Sequence, residues 1–131
     1  MSTRGLLSRN GNRREPDELH DWLMLCLKLE PGERRVAMLE THEGGHVFGK
    51  AFLTDLRLIC TRRTPHGLYV AHGVRYLANV GDVVALAAEK VILLVTGPNL
   101  VDLVVRARPR NVSAAEFELF AVRVREGIEA R

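Results

Sequence analysis

The sequence predicts a mainly β domain of the α+β class: seven antiparallel strands curled into a partly open barrel, capped by a C-terminal helix and preceded by an extra N-terminal helix. Three observations predict it. Between Glu33 and Ala107, short β-branched or apolar runs alternate with turn residues roughly every 8 to 12 positions, the rhythm of an antiparallel meander. Beyond that stretch, Ser113-x-x-Glu116 forms a capping box, and Phe117, Phe120, Ala121, Val124 and Ile128 then repeat along one helical face. Lastly, 131 residues at 47% hydrophobic and 27% charged suit one globular domain that buries a core without disulfide or metal staples.

Residues 1–15 read as a mobile basic arm and residues 16–131 as one domain. A helix is expected over residues 16–28, because Pro16 suits a first helical position and Glu15, Asp17, Glu18 and Asp21 place acid near its positive end. Leu19, Trp22, Leu23, Cys26 and Leu27 would form its core stripe, with Pro31-Gly32 beyond as the stop. Met24 and Leu25 fall outside the stripe and mark a partner or dimer face, or a helix buried on two sides.

The strands are placed within residues 34–106, starting with Arg34–Thr41, His46–Leu53 after Gly44-Gly45, and Arg57–Arg63 after Thr54-Asp55. Leu68–His72 and Val74–Ala78 form a fourth strand bent at Gly73. Val83–Ala88 is the fifth; Lys90–Thr96 and Leu100–Arg106 flank the Gly97-Pro98-Asn99 turn. The closing helix spans residues 113–129, and its apolar face needs the open end of the curled sheet as a partner.

Charge and composition exclude several function classes. The formal charge is +3, and Arg4, Arg9, Arg13 and Arg14 against Glu15 hold the whole excess, leaving 15 basic and 15 acidic residues in the remainder. A neutral body argues against a broad nucleic-acid groove. The arm reads first as a solvated tail, with contact to anionic lipid or nucleic acid as alternatives. No run approaches the roughly 18 apolar residues of a spanning helix, since Trp22–Leu27 is short and Val83–Val95 is cut by Glu89 and Lys90. The first residues lack a signal-like apolar region, so a cytoplasmic protein is expected. Cys26 and Cys60, both in apolar stretches, read as buried reduced thiols.

Three stretches resemble the bacterial pleckstrin-homology-like and GRAM-like domains: Leu29-Glu30-Pro31-Gly32-Glu33, then Gly49-Lys50-Ala51-Phe52-Leu53-Thr54-Asp55-Leu56-Arg57-Leu58-Ile59, and Tyr76-Leu77-Ala78-Asn79-Val80-Gly81-Asp82-Val83. The likeness covers about residues 19 to 129. It implies a seven-stranded, partly open barrel with a C-terminal helix, and a binding module, since this barrel serves lipid headgroups, peptides and proteins alike. Lipid-binding members place basic residues around the first hairpin loop. Here Glu40-Thr41-His42-Glu43-Gly44-Gly45-His46 offers no Lys or Arg and two acids, which argues against a phosphoinositide pocket of that kind.

The candidate ligand- or partner-binding residues are therefore Lys50, Arg57, Arg62, Arg63 and His66, with Met24 and Leu25 as spare hydrophobics. Arg57 beside Asp55 reads as pinning its own turn, and Arg62 and Arg63 point to opposite faces of a strand. Arg106, Arg108 and Arg110 alternate around Pro109 and read first as solvated linker charge, with a shared basic face as the alternative. His42-x-x-x-His46 with Glu40 or Glu43 is the nearest approach to a metal site, but a third ligand is missing. Ser113 is engaged as a helix cap, and neither a Gly-x-Ser-x-Gly elbow nor a phosphate loop occurs. No enzyme, cofactor or metal is expected. The expectation is a non-catalytic adaptor for another protein or for its own copy. The alternative is peripheral binding of anionic lipid at the inner membrane face through the arm and barrel loops, and weak nucleic-acid binding by the arm comes third.

Overall fold

A computed structural model describes residues 18–98 and 100–130. It contains a short helix over residues 18–23 (α1), seven strands, a single 3-10 turn at Leu77–Asn79 and a long C-terminal helix, α2 (Ala114–Glu129). The strands are β1 (Arg35–Glu43), β2 (Val47–Thr54), β3 (Arg57–Arg63), β4 (Tyr69–Tyr76), β5 (Asp82–Leu86), β6 (Val91–Gly97) and β7 (Leu100–Arg106). All pair antiparallel, in a four-stranded sheet β1-β2-β3-β4 and a three-stranded sheet β5-β6-β7. The arm residues Arg4, Arg9, Arg13 and Arg14, and the expected helix start at Pro16, lie outside the described residues.

The sheets do not close into a barrel. One corner is tied by the bridge between Thr41 and Ala107, with the Arg108 amide donating to the Glu40 carbonyl at 2.9 Å. The Leu77–Asn79 turn spans from β4 to β5, and α2 packs against β1, β5 and that turn. Phe117, Phe120, Ala121 and Val124 face inward, as their spacing predicts, onto Leu39, Leu53, Leu58, Leu77, Val83, Ile92 and Leu94. The capping box is formed: Ser113 Oγ accepts from the Glu116 amide at 3.1 Å, and the Glu116 carboxylate accepts from the Ser113 amide at 3.0 Å.

A second core lies on the other side of the first sheet. Side chains alternate along a strand, so while Ala51 and Leu53 of β2 enter the main core, Phe52 points to the opposite face. There it joins Ile59 and Tyr69 beneath Trp22, Met24, Leu25, Leu27 and Leu29. Trp22 and Tyr69 both meet Phe52 edge to face, at ring separations of 4.9 and 5.4 Å.

This covering segment corrects the expected helix over 16–28. Helical structure stops at residue 23 because the next backbone groups find a sheet edge: the Cys26 amide donates to the Tyr69 carbonyl at 2.7 Å and the Tyr69 amide to the Met24 carbonyl at 2.9 Å. Leaving the helix breaks the intended stripe, of which Trp22 and Leu27 alone stay against the core. Leu19 and Leu23 are exposed at 48% and 69%, Cys26 is exposed rather than buried, and Met24 and Leu25 are inside. The fifth strand also ends early, at Leu86, because Ala87–Lys90 is a turn closed by the Lys90 amide on the Ala87 carbonyl, with Lys90 at φ 54°. The bend expected at Gly73 is a register shift, in which Cys60 pairs with Gly73 and Thr61 with Ala71.

Gly49 is required by close approach. A Cβ there would lie 1.9 Å from the Thr61 carbonyl oxygen, so Gly49→Ala must push β2 from β3 and is expected to destabilise by about 2 kcal/mol or more in a denaturant titration. Phe117→Ala, which empties a site only 1% exposed, is expected to cost roughly 3–5 kcal/mol by the same measurement.

Candidate functional site

The basic residues singled out in the sequence do not converge. Arg57 is buried and reaches across to the entry of β1, where its Nε and terminal nitrogen donate to the two Glu33 carboxylate oxygens at 2.8 and 2.9 Å. The same guanidinium donates to the Lys28 carbonyl at 3.0 Å and lies over the Tyr76 ring at 5.6 Å. It therefore does not pin its own turn, and as a side chain committed inside the fold it is withdrawn as a ligand-binding residue. Asp55 makes the turn contact instead, accepting from the Arg34 amide at 2.8 Å.

Burial alone would raise the Glu33 pKa. Hydrogen bonds from Arg57, the Thr54 hydroxyl and the Glu30 amide outweigh it, and together with the charge of Arg57 they hold the carboxyl below its ordinary value. Thr54 Oγ also accepts from the Arg57 amide at 3.0 Å and the Leu56 amide at 3.1 Å, so one network joins the chain before β1 to the β2–β3 turn.

Lys50 pairs with Asp21 of α1, and both side chains are largely shielded. Arg62 grips Glu43 of β1 through two bonds of 3.0 and 2.9 Å, while His72 Nε2 approaches the same carboxylate at 3.1 Å. Arg63 and His66 are exposed at the end of β3 and in the loop after it. Arg108 lies 4.0 Å over the Phe48 ring and 3.3 Å from Glu40. Met24 and Leu25 serve the second core rather than an outer face. His42 Nδ1 accepts from the Gly45 amide, and His46 Nδ1 lies 3.0 Å from the Gly44 carbonyl, so each ring engages its own loop. Among the described residues no group of three His, Cys, Asp or Glu side chains stands close enough to hold a metal. Burial pushes the Cys60 thiol up to about 12, far from a nucleophilic thiolate at neutral pH.

A cleft of about 440 Å³ opens between α1, β1, β2 and the start of α2, lined by Glu18, Asp21, Glu40, Lys50 and Glu116 among others. Three of its carboxylates already have partners: Asp21 has Lys50, Glu40 has Arg108 and Glu116 has the Ser113 amide.

The second sheet presents a different surface. Its inner face sends Val83, Ile92, Leu94 and Val105 into the main core. The outer face carries Val84 and Leu86 of β5, Val91, Leu93 and Val95 of β6, and Val101 and Val104 of β7. Register places Val84 beside Leu93 and Leu93 beside Val104 in one row across the three strands. Val84, Leu86, Val101 and Val104 are 38%, 39%, 46% and 37% exposed, and a shallow depression of about 640 Å³ lies over this face. No described segment covers it in the way that residues 18–29 cover the first sheet. Sequence reading missed this patch because it placed the strands without assigning a buried or an exposed face to their apolar positions. The signal was present in the unbroken runs Val91–Val95 and Leu103–Val105, which need burial on both faces.

The Glu33 network has a measurable acid signature. A lowered folded-state pKa contributes stability that is complete above the ordinary value of 4.5 and is lost as pH falls through the lowered one. Unfolding free energy is expected to decline as pH falls below the ordinary value of 4.5, and less steeply in Glu33→Gln. At neutral pH, Glu33→Gln leaves the Arg57 charge buried without its counter-ion and is expected to cost roughly 3–5 kcal/mol in chemical denaturation.

The chain matches no known family model and no curated protein sequence.

Proposed function

We propose that this chain is a non-catalytic binding module that joins proteins together, its own copy included, through the outer face of β5-β6-β7. The observation that carries this reading is the run of seven aliphatic side chains on adjacent strands with no cover from the described chain. Contiguous apolar surface of this kind is stabilised by removal from water, and soluble proteins keep it chiefly where a partner supplies that removal. The resemblance to pleckstrin-homology-like and GRAM-like domains supports the same reading, because that barrel is a scaffold for binding rather than for chemistry. A cytoplasmic setting belongs to the proposal.

The lipid alternative loses three of its five candidate residues on the folded body, since Lys50, Arg57 and Arg62 each face a carboxylate that offsets their charge, and keeps Arg63 and His66. No described helix is long and apolar enough to cross a membrane.

A substitution on the face tests the proposal. Val84→Asp combined with Val104→Asp changes two exposed positions flanking Leu93, so the melting temperature should move by no more than a few degrees, in line with surface substitutions of about 0.5 kcal/mol each. Proteins retained by the immobilised parent chain, whether other chains or its own copy, are expected to be lost from this variant. An identical retained set would overturn the reading.

A further inference from the structure

We infer that the occupant of this face is a second copy of the chain, packed sheet on sheet with its strands crossing nearly at right angles. The inference rests on the binding reading above and adds the partner. Strand register sets the outer face as a grid of three rows: Asp82, Val95 and Val101; Val84, Leu93 and Val104; Leu86, Val91 and Arg106. Seven of the nine positions are aliphatic. The two charged ones, Asp82 and Arg106, occupy diagonally opposite corners and carry opposite signs.

That placement selects one symmetry. Two sheets facing each other as identical copies are related by a twofold axis lying in the plane between them. An axis parallel to the strands sets Asp82 on the second copy's Val101 and Arg106 on its Leu86. A perpendicular axis sets Asp82 on Leu86 and Arg106 on Val101. An axis along the Asp82–Arg106 diagonal sets each charge on its own kind.

Only the other diagonal, from Leu86 to Val101, brings Asp82 opposite the second copy's Arg106 and Arg106 opposite its Asp82. With about 4.8 Å between strands and about 6.8 Å between same-face residues along them, an axis close to that diagonal and at about 45° to the strands brings those positions within roughly 3 Å of registry, well inside the reach of an arginine. This operation swaps the strand direction with the cross-strand direction. It therefore produces the orthogonal class of sheet packing. Among the described residues, the Arg106 side chain makes no ion pair or hydrogen bond, and the Asp82 carboxylate accepts only from the Val83 amide, at 2.8 Å. Both corners are thus open to an intermolecular partner. Nine positions at that spacing cover roughly 300 Å², small beside the roughly 800 Å² per partner of a stable complex, so the association is weak and reversible.

Sedimentation equilibrium of the full-length chain over rising concentration tests this. The parent is expected to pass from monomer to dimer. Asp82→Arg alone and Arg106→Asp alone each oppose like charges twice, and each is expected to weaken the dimer by about tenfold or more. An equimolar mixture of the two variants restores both pairs and is expected to dimerise as the parent does. A parent that stays monomeric throughout, or single variants that dimerise like it, would overturn the inference. If the parent is monomeric but Val84→Asp with Val104→Asp still loses a different retained protein, the copy-on-copy inference fails and the binding reading stands. If nothing is lost either, both fail.

Discussion

A β-sheet has two faces, and in this chain both faces of both sheets carry apolar side chains; the structure follows from how three of those four surfaces are removed from water. The inner faces solve the problem together, meeting across Leu53, Leu58, Ile92 and Leu94 with α2 laid over the open side. The outer face of the first sheet is covered by residues 18–29, which leave their helix at residue 23 to do so. Burial of Phe52, Ile59 and Tyr69 outweighs the few helical hydrogen bonds given up, because the amide of Cys26 and the carbonyl of Met24 find equivalent partners on β4. The fourth surface, on β5-β6-β7, has no such cover among the described residues, and it is the one to which a binding role is assigned.

The covering segment is held at its far end by a polar clasp. Glu33 and Arg57 are both buried, and a buried ion pair adds little stability beyond well-packed apolar groups. Its value here is positional: the guanidinium binds Glu33 and the Lys28 carbonyl together, so the chain leaving the second core and the chain entering β1 are fixed to the β2–β3 turn. Thr54 completes the clasp by taking both turn amides on one hydroxyl. The chain entering β1 and the β2–β3 turn are thus joined for a mechanical reason, independent of any ligand.

The same logic redistributes the basic residues. In a domain with equal numbers of acids and bases beyond residue 15, folding brings opposite charges together before any ligand does: Arg62 meets Glu43, Lys50 meets Asp21 and Arg108 meets Glu40. What remains on the proposed reading is the apolar outer face of β5-β6-β7, whose charged corners, Asp82 and Arg106, make no ion pair among the described residues. Specificity would then arise from the placement of two charges on a greasy face rather than from a charged pocket.

The order of the seven strands, the closing helix and its buried face were legible in the sequence because they rest on local rules. Strand period, turn residues and the Ser113–Glu116 box each act within a few residues, and β3 and β7 begin and end where those rules place them. The N-terminal helix was misread past residue 23, since three- and four-residue spacing of Leu19, Trp22, Leu23, Cys26 and Leu27 cannot reveal that a strand edge stands nearby to compete for the same backbone groups. Arg57 was misassigned for a similar reason, as Glu33 lies 24 residues away and only folding brings them together. The candidate site was half legible. Continuous apolar runs in β6 and β7 announce two buried faces from sequence alone, whereas only the assembled sheets decide which face the chain covers itself, because cover depends on where distant segments pass and not on the residues being covered.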